Sequence, residues 1–154
     1  MEFFEVIKKR QCVRSFDPKK QVEEKDLEKI IEAGKRAPSA GGLFPTRFFV
    51  AKTIEEKNKV LKALMQTWVA DAPAIIVIWS DPFETIDRYQ ERGKNLYIIQ
   101  DVAAAAENIF LAVTALGLAT CWVGSFDEEK LKEALNLKNN QRPLVVMPIG
   151  YEKN

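Results

Sequence analysis

The chain has 154 residues, 47% of them hydrophobic and 29% charged, with a net charge of +1. That is enough for one globular domain with a substantial core, and too evenly charged for a nucleic-acid groove. The absence of histidine and the presence of only two cysteines, Cys12 and Cys121, exclude Ser–His triads, Cys–His pairs, most zinc and iron sites and a disulfide framework. A single domain over residues 1–154 is expected, soluble in a reducing cytoplasm, without metal, nucleic acid, membrane span or signal peptide.

Phe3, Phe4, Val6 and Ile7 predict a short first helix, followed by a turn at Asp17-Pro18. Leu27, Ile30, Ile31 and Gly34 recur at helical spacing. Ala37-Pro38 ends that helix and leaves Ser39-Ala40-Gly41-Gly42 as loop. Arg47 to Ala51 reads as a strand. Thr53 and Glu56 make a capping box for an amphipathic helix carrying Val60, Leu61, Leu64 and Met65. Ala74 to Trp79 is a continuous apolar run, the pattern of a strand buried on both faces.

Pro82 to Asn95 is polar and is expected to form a lid or an irregular helix. Asp101 to Leu116, rich in alanine, predicts a central buried helix with Gly117 at its C-cap. The uncharged stretch from Asn108 to Phe126 approaches the ~20 residues of a membrane span. Gly117 divides it, however, and Asn108, Thr114, Thr120 and Ser125 dilute it, so a helix followed by a buried strand is expected instead. Ala119 to Val123 and Pro143 to Ile149 read as strands, and Asp127 caps a short helix through Leu135. The succession predicts an α+β fold, a sheet with helices on its faces.

No GxGxxG follows a strand and no GxxxxGK[ST] exists, so neither a Rossmann dinucleotide site nor a P-loop is supported. Three segments stand out instead. Arg10 to Phe16 sets two guanidinium forks and a thiol close together, a pattern suited to a phosphate or an electron-rich ring, and equally that of a basic helix end. Pro38 to Pro45 has adjacent glycines that let backbone approach a flat ligand, or simply make a helix-to-strand loop. Gly117 to Asp127 is a strand ending in Gly-Ser, where exposed N–H groups commonly meet ligands.

Taken in order, R-x-C-x-R, APSAGG-x-x-P, D-x-x-x-A-x-x-N, GL-strand-GSFD and P-x-GY resemble the FMN-dependent nitroreductase family. The matching pieces are Arg10 to Phe16, Ala37 to Pro45, Asp101 to Gly124 and Pro148 to Tyr151. The resemblance implies a central mixed, largely antiparallel sheet flanked by helices, in a homodimer with FMN sites at the subunit interface. It places Arg10 and Cys12 at the FMN phosphate, Gln11 along the ribityl chain or ring edge, and Arg14 near N1 and O2. Pro38, Ser39, Ala40 and Gly42 match the loop that the partner subunit lays against the flavin. Val123, Gly124 and Ser125 match the segment facing N5 and O4.

The implied activity is ping-pong transfer from NADH or NADPH to a nitroaromatic or quinone acceptor, with no catalytic side chain because the flavin does the chemistry. The chain departs from the family pattern at Gly42, where Asn is common, at Phe44-Pro45-Thr46, and near Trp68, where many relatives place a lysine. It also ends at Lys153-Asn154, where relatives continue to basic residues that complete a phosphate clamp, so Lys153 is expected to substitute. A flavin-binding scaffold without robust turnover, or a flavin-linked dehydrogenase or dehalogenase of the same fold, are the alternatives. Cys12 and Cys121 are poor candidates for a thiol nucleophile, because no histidine is present as base, although Arg10 and Arg14 could favour a Cys12 thiolate.

Overall fold

The structure, a computed structural model, describes residues 1–153. Four strands carry the sheet: β1 (Thr46–Ala51), β2 (Ala74–Ser80), β3 (Ala119–Thr120) and β4 (Arg142–Gly150), in the spatial order β1-β2-β4-β3. Every ladder is antiparallel, running from Thr46 opposite Ser80 to Ala51 opposite Ile75, from Ala74 opposite Ile149, and from Ala119 opposite Gly150. One parallel bridge joins Cys12 to Thr120 at the β3 edge. The sheet is therefore mixed and largely antiparallel, as expected.

The helices are α1 (Phe3–Lys9), α2 (Glu24–Lys35), α3 (Ile54–Leu61), α4 (Phe83–Arg92), α5 (Ile98–Ala115) and α6 (Glu128–Leu135). The period-2 alternation of β2 explains their layering. Ala74, Ile76 and Ile78 point into one core with Leu27 and Ile30 of α2 and Val102, Ile109 and Val113 of α5. Ile75 and Val77 point the other way, onto Val60 of α3 and Leu131 of α6. An apolar face on each side is what a continuous apolar strand requires.

Local signals explain most of the ends. Thr53 Oγ1 accepts from the Glu56 N–H at 3.2 Å while Glu56 Oε2 accepts from the Thr53 N–H at 3.0 Å, a complete capping box. Asp127 Oδ1 accepts from the Lys130 N–H at 3.1 Å. Gly117 follows α5 with φ 73°.

Two elements end earlier than the sequence reading has them, while Pro82 to Asn95 is irregular as expected. Helix α3 stops at Leu61, because Leu64 leaves to pair with Phe126 and Met65 is 86% exposed. The strand expected over Ala119 to Val123 is regular only through Thr120. Val123 rejoins β4 through reciprocal 2.9 Å bonds with Val146, after Cys121 has turned inward and Trp122 outward. Pro82 to Asn95 forms an irregular helix: α4 is kinked at Gln90 (φ 51°, ψ −134°), and a π-helical turn over Gly93–Tyr97 leads into α5. The helical stretch Phe83–Ala115 has the length and apolar composition of a membrane span. The kink at Gln90 interrupts it, and α5 buries eight of its residues in the core.

Candidate active site

The Arg10–Phe16 segment runs along the β3 edge. The Val13 N–H donates to Thr120 O at 2.9 Å, and Phe16 is fully buried against Trp68, with ring centroids 6.2 Å apart. Gln11, Cys12, Arg14 and Ser15 are exposed between and before the buried Val13 and Phe16. Arg14 has no carboxylate partner among the described residues, and its charge acts on the Cys121 thiol. Arg10 is partly engaged: it lies 4.8 Å from the centre of the Phe110 ring and 3.7 Å from Glu107.

Two further pieces reach the same edge. The chain's end runs back antiparallel to this segment, with the Asp17 N–H donating to Tyr151 O at 2.9 Å and the Lys153 N–H to Ser15 O at 3.1 Å. Lys153 thus stands beside the basic cluster, while Asn154 lies outside the described residues. Beyond Val123 the strand opens at Gly124 and Ser125, both exposed, and neither donates its N–H to another group among the described residues. Ser125 is fixed instead by its carbonyl, which accepts from Gln66 Nε2 at 2.9 Å.

The Pro38–Gly42 loop is held elsewhere. Ser39 Oγ accepts from the Phe44 N–H at 2.8 Å, and the Ala40 N–H donates to Asp101 Oδ1 at 2.9 Å. Gly41 takes φ 62°, a conformation glycine adopts without strain, and a Cβ there would press on the tips of the Tyr89 and Arg88 side chains. Asp101 and Glu107 are six positions apart on α5, about 240° around its axis, and Phe110 is about 180° from Asp101. Within one chain, loop 38–42 and Arg10 therefore attach to opposite sides of α5. A cleft of about 460 Å³ opens under this loop, between Ile31, Gly34, Phe44 and Phe48, and includes none of the residues of the β3 edge. Of its two cations, Arg47 is spent on the carbonyls of Phe44 and Thr46, at 2.7 and 3.1 Å.

The nitroreductase family model matches residues 7–71 and 61–151. The chain belongs to the nitroreductase family. It is 32% identical over 158 residues to the Putative NADH dehydrogenase/NAD(P)H nitroreductase of Archaeoglobus fulgidus, covering 99% of this chain and 87% of that protein. Among solved structures, a nitroreductase family protein of Clostridium difficile superposes with a TM-score of 0.88 at 32% identity, covering 100% of this chain and 86% of that one. A nitroreductase family protein of Clostridium novyi gives 0.85 at 32% identity, with 100% and 87% coverage. The chain is an oxidoreductase of the nitroreductase type.

In this nitroreductase-family chain, the residues singled out in the sequence fall into two groups. Arg10, Gln11, Cys12, Arg14, Val123, Gly124 and Ser125 lie along one sheet edge, whereas Pro38, Ser39, Ala40 and Gly42 lie across α5 from it. Asp101 and Asn108, the acid and amide of the D-x-x-x-A-x-x-N motif, show their anchoring roles only in three dimensions. Asp101 is 6% exposed with Oδ2 unpartnered, and Asn108 Nδ2 donates to Ala33 O at 3.1 Å. An acid opening an otherwise apolar, alanine-rich helix is the signal for Asp101.

Burial raises the Asp101 carboxyl above its ordinary value of 3.8, against the opposing pull of the Ala40 N–H. The folded chain therefore holds this proton more tightly than the unfolded chain. Stability contributed by Asp101 falls as pH climbs from the ordinary value through the raised one, and is flat above it. Denaturant titrations of wild type and Asp101→Asn across this window are expected to converge toward acid and to diverge as pH rises. Parallel curves would mean that Asp101 titrates normally.

Proposed function

We propose that the chain is an FMN-dependent NAD(P)H oxidoreductase that reduces nitroaromatic or quinone-type acceptors as a cytoplasmic homodimer. The observation that carries this reading is the convergence of free donors on one edge: Arg14 without a carboxylate, Cys12 exposed, and the unspent N–H groups of Gly124 and Ser125. That donor set fits a phosphorylated flavin, with cations and a thiol for a phosphate and neutral N–H groups for a ring edge. Bound there, FMN supplies a two-electron carrier between the nicotinamide donor and the acceptor in ping-pong turnover.

The chain's own groups then have separate tasks. Arg10, Cys12 and Lys153 hold the phosphate, Arg10 exchanging its long Glu107 contact for it. Gln11 orients the ribityl chain. Arg14 places a permanent charge where the reduced ring becomes anionic, and Val123, Gly124 and Ser125 present backbone to the reactive edge. Pro38, Ser39, Ala40 and Gly42 sit across α5 from this edge, so a second copy is needed to bring such a loop to the ring. The exposed apolar side chains Phe3, Phe4 and Ile7 of α1 and Ile99 of α5 favour that association.

Purified protein is expected to be yellow, to release FMN on denaturation, and to oxidise NADH or NADPH with a quinone. Colourless protein that ignores added FMN overturns the reading, and bound flavin that no nicotinamide reduces overturns the enzymatic part. Arg14→Ala is expected to lower the midpoint potential of the bound flavin by about 30–60 mV, the loss of one charge-assisted contact in a two-electron couple. An unchanged potential, measured by dye-coupled reduction, would show that Arg14 stands away from the ring.

A further inference from the structure

We propose that Cys12 and Cys121 form a redox-active dithiol, closing reversibly to an intramolecular disulfide under the Arg10–Arg14 segment when the protein meets a hydroperoxide. The chain's two cysteines lie 109 positions apart in sequence, yet Cys12 pairs with Thr120 in a parallel bridge, one residue from Cys121. The bridge is fixed by the Val13 N–H on Thr120 O at 2.9 Å, so the two thiols belong to adjoining strands. Strands about 4.8 Å apart, with about 3.3 Å between successive residues, put such a diagonal pair about 6 Å apart at Cα. That lies within the span of about 4.4–6.8 Å that a disulfide bridges. The pairing turns irregular just after Thr120, which frees Cys121 from the alternation that would send its side chain away from Cys12. The Cys12 thiol and the Arg14 guanidinium both act electrostatically on the Cys121 thiol.

The two thiols are unequal in a way that suits sequential chemistry. Cys12 is exposed and Cys121 only 2% exposed, so oxidant meets Cys12 first. The Cys12 thiolate attacks one peroxide oxygen: an S–O bond forms, the O–O bond breaks, and the leaving oxygen takes a proton to give water or an alcohol. Sulfur has lost two electrons to the peroxide and is now a sulfenic acid. Cys121 then gives up its proton and attacks the Cys12 sulfur, forming S–S and expelling the hydroxyl as water. Burial, with the neighbouring Cys12 thiol, pushes the Cys121 thiol up to about 11, so it stays protonated until then and closure accelerates with rising pH. Closure draws the Cys12 side chain down to Cys121, removing it from the phosphate; this consequence rests on the proposed function, whereas the disulfide does not.

The test treats the full chain with hydrogen peroxide, with and without FMN loaded, and reads intact mass and non-reducing peptide maps. Wild type is expected to lose the mass of two hydrogen atoms and to yield a Cys12–Cys121 peptide pair that dithiothreitol separates. Cys121→Ser is expected to stop at sulfenic acid, trapped on Cys12 by dimedone, and Cys12→Ser to leave Cys121 unmodified. Oxygen added to Cys12 with Cys121 still free in wild type, or a disulfide between two copies, overturns the proposal. In the FMN arm the oxidised wild type is expected to bind FMN severalfold more weakly, with recovery on reduction and no such change in Cys121→Ser. An unchanged FMN affinity overturns the coupling. A chain that takes up no FMN at all overturns the proposed function while the mass readout still decides the dithiol.

Discussion

Replacing Phe16 by alanine is expected to lower the free energy of unfolding by about 3–5 kcal/mol, the range for removing a fully buried aromatic ring. Phe16 has no exposed surface, lies nearly parallel to Trp68 with 19° between the rings, and closes a small core with Val13, Ala72 and Ala119. A Cβ at Gly150 would come within 3.0 Å of its ring, so β4 closes the pocket on another side. Against a typical total stability of about 5–15 kcal/mol, the loss is large. Its effect on function should exceed its effect on stability. Phe16 anchors the stretch that presents Arg10, Cys12 and Arg14, and its backbone pairs with Glu152, beside Lys153. Under conditions where the variant remains folded, the FMN binding proposed above is expected to weaken, while Phe16→Leu, which keeps most of the volume, should cost about 1–2 kcal/mol and leave that binding in place. Urea titrations with FMN fluorescence on the same samples check both. A Phe16→Ala loss under about 1 kcal/mol would mean that backbone pairing alone holds the segment.

The same segment shows what a sequence can and cannot convey about this fold. Short-range features carry their own chemistry: the Thr53/Glu56 box, the Asp127 cap and the two-faced apolar run of β2 are fixed by neighbours within a few residues or by simple period. Their positions were readable to within a residue or two. The breaks in regularity come from distant partners. Nothing local to Leu64 says that it pairs with Phe126, and nothing in Cys121-Trp122 says that one turns inward and the other outward under a segment more than a hundred positions away. The site has the same limit. Motifs named residues on both sides of α5, but their separation depends on which neighbour meets Asp101 and which meets Glu107. Only the folded helix shows that the loop and the basic edge attach to opposite sides of α5.

Gly93→Ala is the second large effect expected, a destabilisation of about 3 kcal/mol, at the upper end of ordinary overpacking costs. Helix α4 turns a corner at Gln90, and the arm that follows comes back onto the one that precedes it, with Gly93 buried against Thr85. A Cβ at Gly93 would collide with the carbonyl oxygen of Thr85 and lie 3.1 Å from both the Thr85 carbonyl carbon and the Tyr89 Cβ. The obstacle is main chain inside a helix, which cannot swing aside as a side-chain tip can, so the two arms must part. Parting them breaks the edge-on contact of Tyr89 with Tyr97, now 5.1 Å between centroids, and withdraws Tyr89 and Arg88 from Gly41. The loop of Pro38, Ser39, Ala40 and Gly42 then keeps only its Asp101 anchor from α5. Gln90→Gly provides the opposite sign at the same corner. Gln90 sits at φ 51°, ψ −134°, a conformation that costs a residue with a side chain about 1–3 kcal/mol and glycine little, so this variant should be neutral or up to about 1 kcal/mol more stable. Thermal unfolding of the two variants, with limited proteolysis between Tyr89 and Lys94 to report on the corner, distinguishes a tight backbone contact from a loose one. A Gly93→Ala chain as stable and as protease-resistant as wild type would mean that the arms have room to spare, and that the cover over Gly41 is held by Tyr89 and Arg88 alone.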